Sequence, residues 1–333
     1  MPQMVGTSGQ PEYSQTCAHD GLPVDNGTVC VVSDSGPFAV KSAAVWTLSD
    51  DSTPAAARRA WFEAVAPALA RGMDATPLRD DLTWSDPKHY IVGYGFTDTV
   101  VKTGHTFYAS VLYYEACLLM ARMATFASDG DRSKAASSRR DLPAMAARFR
   151  EQAERTKAAI NARFWDAAQG GYRASTGIEA DRIDVWGTGL AASLNVTNAT
   201  QGARVFRFFS ENRRHIFFEG QVREVLAPQR WDQMRGPDSR DWSQGWDGAL
   251  DHVYQDGGFW ATPLHYLLPF IGRYDMAMAC GLLSETIASF RSHGINEWVG
   301  PFWPSATGAP GYTASAANTY AAAKALQCPS HGW

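Results

Sequence analysis

Two acidic segments lie far apart in the chain: Gly93-Tyr94-Gly95-Phe96-Thr97-Asp98-Thr99 and Gly294-Ile295-Asn296-Glu297-Trp298. Each sets one carboxylate among glycine and aromatic residues, in a loop beside an expected long helix. Two carboxylates presented from opposite parts of a fold suit acid/base cleavage of a glycosidic bond, because one protonates the leaving oxygen while the other activates water. In that scheme Asp98 is the protonated acid, its pKa raised by an apolar and aromatic surround, and Glu297 is the ionised base. A water molecule between base and anomeric carbon implies inversion of configuration, with the carboxyl groups roughly 6.5–9.5 Å apart.

Each carboxylate also has a plainer reading. Asp98 precedes a helix and is a candidate N-cap; Glu297 is a candidate solvated loop charge. Asp256 and Asp247 compete for either catalytic role. Around the pair, Phe96, Trp186, Trp246, Trp260 and Trp298 are candidate sugar platforms, because the C–H faces of a pyranose bury well against an aromatic ring. Trp231, Trp242 and Trp303 belong to the same class, and core packing is the alternative for all of them. Arg223, Gln255 and Asp256 are candidate ligands for sugar hydroxyls, and Arg223 with Arg182 would suit a substrate carboxylate. His89, His105, His252, His265 and His293 form no HExxH run and no pairing with cysteine, so no metal site is expected. There is no GxSxG elbow and no phosphate-binding glycine motif, so neither a serine nucleophile nor a nucleotide cofactor is implied.

These residues need a frame to position them. The chain has 333 residues, 45% of them hydrophobic, and a formal charge of −4. That is enough for a large core, and it gives no basic footprint for nucleic acid or an anionic membrane. The start lacks a basic-then-apolar leader pattern and no stretch has the length of a membrane span, so the chain reads as soluble. Oligomeric state and compartment are open. Cys117 and Cys280 fall in apolar helical runs and read as buried thiols, Cys17 and Cys30 flank a polar loop and are a candidate pair, and Cys328 lies near the end.

Helical periodicity predicts helices at 54–71, 104–128, 141–165, 185–194, 199–212, 259–270, 273–292 and 312–327, with very little strand. Loops at 165–184, 213–258 and 293–312 are rich in Gly, Trp and Asp. The loop at 213–258 is too long for a mere connector and is expected to wall the cleft. Helices apolar around much of their circumference must pack on both sides, which suits a double ring of helices. Residues 1–38 are polar and weakly patterned, and read as an N-terminal arm or the remnant of a preceding segment; residues 39–333 read as one catalytic domain.

The combination Tyr94-Gly95-Phe96-Thr97-Asp98-Thr99-Val100, Asn161-Ala162-Arg163-Phe164-Trp165-Asp166, Asp184-Val185-Trp186-Gly187, Tyr254-Gln255-Asp256-Gly257-Gly258-Phe259-Trp260-Ala261-Thr262-Pro263 and Asn296-Glu297-Trp298 resembles the six-hairpin glycosidase superfamily. Its nearest flavour is the trehalase and processing α-glucosidase branch. The resemblance runs over roughly residues 40–328 and implies an all-α, (α/α)6 toroid, with an incomplete or atypical hairpin in a chain of this length. It implies a general acid at Asp98, a general base at Glu297, no cofactor, and a small oligosaccharide or glycoside as substrate. The chain lacks the Gln-Trp-Asp-aromatic-Pro-Asn-Gly-Trp run of trehalases, which leaves the sugar open, and uronic-acid sugars or silent carbohydrate binding are the alternatives.

Overall fold

A computed structural model describes residues 35–49, 52–87, 100–129, 141–231, 254–300 and 308–328, and these fall into two units, one up to Arg163 and one from Phe164 onward. The first unit contains helices α1 (Ser35–Ser49), α2 (Ala55–Asp74), α3 (Phe107–Ser128) and α4 (Leu142–Phe164). Helix α3 is apolar on nearly every side, so it must be enclosed; Phe107, Val111, Cys117, Met120 and Met123 are all fully buried. Helices α1 and α2 pack on it and on each other. The close crossing of α1 and α2 requires Gly36, where a Cβ would stand 2.5 Å from the Gly72 carbonyl oxygen.

Short strands β1 (Leu78–Arg79), β2 (Leu82–Ser85) and β3 (Gly104–His105) form an antiparallel sheet in that order. Asp80 and Asp81 make the two-residue turn between β1 and β2 with φ of 51° and 63°, as such a hairpin turn demands. Helix α4 holds this turn through Arg155 Nε to Asp81 Oδ1 at 3.2 Å and Thr156 Oγ1 to the Asp81 carbonyl at 3.1 Å. The connection from β2 to β3 is the one that carries Asp98. It is rooted by Thr83, whose amide donates to Ser110 Oγ at 3.0 Å and whose hydroxyl donates to the Thr106 carbonyl at 2.9 Å. Val100, Val101, Lys102, Thr103 and His105 are buried along its returning limb.

The second unit opens with the hairpin β4 (Trp165–Asp166) and β5 (Gly171–Tyr172). Helix α5 (Val185–Ser193) starts at Asp184, whose carboxylate accepts the Gly187 amide at 2.7 Å. Helix α6 (Ala199–Glu211) starts with a capping box between Asn198 and Gln201. After the single turn α7 (Arg213–Ile216) come strands β6 (Phe217–Phe218), β7 (Gln221–Arg223) and β8 (Phe259–Trp260), paired in that order. Helices α8 (Leu264–Gly272), α9 (Met276–His293) and α10 (Thr313–Leu326) follow. Helix α8 packs against α5, α9 and α10, and Leu264, Leu267, Leu268 and Ile271 on it are fully buried. Burial of each such side chain contributes about 1.5–3 kcal/mol.

Every helix expected from periodicity is present, but boundaries and small elements differ. The helix of 35–49 was not expected, since its glycine, proline and serines mask its pattern. Pro54 occupies the cap position of α2, and the helix runs on past Gly72 to Asp74. The run at 259–260 is strand rather than helix, because Phe259 exchanges both backbone hydrogen bonds with Val299, at 2.8 and 2.9 Å. The expected loop of 213–258 contains α7, β6 and β7 among its described residues.

Cysteine pairing also departs from expectation. Cys280 is not a free thiol; it is bonded to Cys328, and the bridge ties α9 to the residue just beyond the end of α10. Cys117 is free and buried, its thiol pushed up to about 12 by burial. Cys17 and Cys30 lie outside the described residues.

Candidate active site

Glu297 follows α9 by only a few residues, and a small hydrogen-bonded ladder decides where it stands. Asn296 is buried; its side-chain amide donates to the His293 carbonyl at 3.0 Å, and its own carbonyl accepts Ser315 Oγ of α10 at 2.8 Å. The chain then meets residues 308–310 through the isolated Asn296–Pro310 bridge and β8 through the isolated Phe259–Val299 bridge. Glu297 donates its amide to the Ala309 carbonyl at 3.0 Å, and Gly308 donates to the Trp298 carbonyl at 3.1 Å. The candidate base thus lies at a bend whose own amide is held by Ala309 and whose chain is held by β8 two residues on, at Val299.

Register settles which way the side chains point. Paired residues share a face of a sheet and successive residues alternate. Arg223 pairs with Phe259 and Phe259 with Val299, so these share one face. Val222 and Trp260 occupy the opposite face, which packs on α5: the Trp260 ring meets the Trp186 ring edge-on at 5.7 Å between centroids. Glu297 is half-buried, and its Oε2 is 3.4 Å from the Ala309 amide. A half-buried carboxylate on a fixed backbone can still reach a proton in an adjoining space.

A cluster of arginine lies around Asp256. Asp256 sits at the end of a single 3-10 turn, Tyr254–Asp256, and is buried. Its carboxylate accepts the Trp231 amide at 3.0 Å and forms an ion pair with Arg230. Burial nonetheless raises its pKa, outweighing the Arg230 partnership that pulls it down. Arg223 is buried on β7 and donates Nη2 to the carbonyls of Asp256 and Gln229, at 3.2 and 3.1 Å. Burial lowers its pKa to about 10. Arg182 joins the cluster by donating Nε to the Arg230 carbonyl at 2.7 Å.

The structure therefore brings Arg223, Gln255, Asp256, Trp260, Glu297 and Trp298 onto one sheet and the turns that adjoin it. Gln255 is buried, and its carbonyl accepts Trp231 Nε1 at 2.9 Å. Trp186 and Trp260 are 2% and 1% exposed, which makes them core residues rather than open platforms. Trp231 is buried as well, whereas Trp298 is half-exposed. Phe96, Asp98, Trp246, Trp242, Asp247 and Trp303 lie outside the described residues. Helix α3 nevertheless begins at Phe107 with Thr106 in its cap position, so Asp98 is not the cap of that helix. Arg230 was not singled out in the sequence, since no spacing marks it. Among the described residues no group of three His, Cys, Asp or Glu side chains stands together as a metal cage. No described helix is long and apolar enough to cross a membrane.

No protein-family model matches the chain, and no curated protein matches it in sequence. Solved structures do match it in fold. A GH63 mannosylglycerate hydrolase from Thermus thermophilus in complex with glucose aligns with a TM-score of 0.58 at 11% identity, over 88% of this chain and 74% of that one. The complex of that hydrolase with Tris and D-glycerate gives 0.55 at 14% identity, over 96% and 85%. An uncharacterized conserved protein of Thermus thermophilus gives 0.56 at 13%, over 90% and 78%. Identities this low carry the fold alone, and the fold class is all-α, of the (α/α)6 kind.

Proposed function

We propose that this chain is a glycoside hydrolase that cleaves an α-linked glucoside or a related small oligosaccharide with inversion. The observation that carries the reading is the Glu297–Trp298 segment: a half-buried carboxylate beside an indole, laced to β8 on one side and to residues 308–310 on the other, in a fold of the glycosidase class. In the proposed reaction Asp98 gives its proton to the glycosidic oxygen as the bond to the anomeric carbon breaks. Glu297 takes a proton from the water that attacks the opposite face of the sugar. The products are a free sugar of inverted configuration and the released alcohol, and proton exchange with solvent resets both carboxyls. Trp298 offers the aromatic wall.

A second reading has its own observation. Arg230 pairs with the Asp256 carboxylate, Arg223 donates to the Asp256 carbonyl and Arg182 donates to the Arg230 carbonyl, and guanidinium groups suit a carboxylate on the substrate. A substrate with a uronic or hydroxy-acid part would use that cluster. One of the similar solved structures holds D-glycerate, itself such an anion.

A panel of neutral α-glucosides, uronides and glycosides of hydroxy acids, assayed with the wild type and with Glu297→Gln, separates these readings. The first predicts turnover of a neutral α-glucoside, lost in Glu297→Gln; the second predicts turnover confined to the anionic members. No turnover on any member, with sugar binding retained, would make the protein a silent binder and overturn both.

A further inference from the structure

The indole of Trp298 lies between two glycines. A Cβ on Gly258 would stand 3.0 Å from Trp298 Cε3, and a Cβ on Gly308 would stand 2.5 Å from Trp298 Cδ1 and 2.7 Å from its Nε1. Apolar atoms rest at about 3.5–4.0 Å, so neither position admits a side chain without displacement. Neither glycine is needed for its backbone, because positive φ occurs at Gly257, Gly294 and Gly311 but not at Gly258 or Gly308. What these two positions supply is room.

Gly308 has a second close neighbour. The same added Cβ would stand 2.6 Å from Cβ of Glu297, an atom one bond from the backbone that cannot swing aside as a long side chain does. The strand segment that carries Gly308 also supplies the Ala309 amide, which faces Glu297 Oε2, and the Ala309 carbonyl, which accepts the Glu297 amide. Any outward shift at residue 308 is therefore transmitted to the carboxylate through its Cβ, its backbone and its nearest hydrogen-bond donor together. We propose that Gly308 is a positioning residue for this site: its missing side chain sets where the Glu297 carboxylate stands and how the Trp298 plane is turned. The inference rests on the reading of Glu297 as the base.

The test compares Gly308→Ala with Gly281→Ala, a control in the middle of α9 where an added Cβ meets nothing within 4 Å. Crystal structures and kinetics on α-D-glucosyl fluoride are the readouts. Gly308→Ala should displace the 297–298 backbone and lower kcat by about 10–100-fold, since misplacement by about 1 Å has that effect. KM should stay within about threefold and the acid limb of the pH profile should move, while Gly281→Ala matches the wild type. A role in folding alone would lower Tm while leaving kcat per folded molecule and the acid limb unchanged, and that result overturns the proposal. If Gly308→Ala does not accumulate, the pair Trp298→Ala and Gly308→Ala/Trp298→Ala replaces it. Removing the indole relieves part of the clash, so residue 308 should cost less in that background, and strict additivity would count against the proposal. The two readings fail separately: an active Glu297→Gln removes the base assignment, whereas an undisplaced 297–298 segment in Gly308→Ala removes this inference whatever the activity.

Discussion

At the scale of single residues, the account turns on carboxyl groups and what surrounds them. Exchange of either candidate for its amide keeps the size and removes the proton chemistry. Asp98→Asn should lose hydrolysis of a poor leaving group yet retain more activity on a glycosyl fluoride, whose fluoride departs with less help. Glu297→Gln should depress both by about 10²–10⁴-fold, since water still needs a base. Steady-state rates on the two substrate types check this. Two buried aspartates away from that pair show opposite shifts. At Asp256 burial wins over Arg230 and raises the pKa above 3.8. Between 3.8 and the raised value the unfolded chain has lost a proton that the folded protein keeps, so stability falls as pH rises through that window. At Asp166 burial also pushes upward, yet the Gln169 and Ala168 amides and Arg173 outweigh it, so the pKa lies below 3.8. Its contribution is complete above 3.8 and is lost as pH falls through the lowered value. Melting curves against pH should therefore show Asp256→Asn gaining on the wild type as pH climbs above 3.8, and the deficit of Asp166→Asn shrinking as pH drops below it. Parallel profiles would contradict both assignments. Glu297 stood out in the sequence because Asn296, Trp298 and Gly294 flank it. Arg230 and Gly308 did not, because an ion pair across 26 residues and a clash that exists only in three dimensions leave no local mark.

Elements were legible to the degree that their burial is periodic. Helices α4, α6 and α9 alternate buried and exposed positions at helical spacing, and the expected ranges fall within a few residues of the observed ones. The two-residue strands were not legible, since a pair such as Phe259–Trp260 is too short to show alternation and is defined only by its partners. The disulfide was hidden for a related reason: Cys280 lies in an apolar helical run, and only the packing of α9 against α10 brings Cys328 to it. The bridge closes a chain segment with a separation of 48 residues, and that segment contains α9, Glu297, Trp298 and α10. In the chain-entropy picture a loop of that size stabilises the fold by about 4 kcal/mol. Cys280→Ser/Cys328→Ser should accordingly melt well below the wild type, and added reductant should lower the Tm of the wild type but not of the double variant. Equal melting temperatures in all of these would show that the bridge contributes nothing to stability.

For the molecule as a whole, packing decided the class. Helices apolar on most sides, such as α3 and α8, called for a fold in which helices are covered on both flanks, and the likeness to solved (α/α)6 structures places the chain in that class. Fold of this kind fixes where a site is built but not which sugar enters it. In the proposed reaction the chemistry falls to Asp98 and Glu297, and its defining consequence is stereochemical. Proton NMR of the sugar released in the first minutes of hydrolysis of an α-glucoside, before mutarotation mixes the anomers, reads that consequence directly. The account predicts that the β-anomer appears first and that Glu297→Gln yields neither anomer at a comparable rate; initial release of the α-anomer, or an undiminished rate in Glu297→Gln, would contradict it.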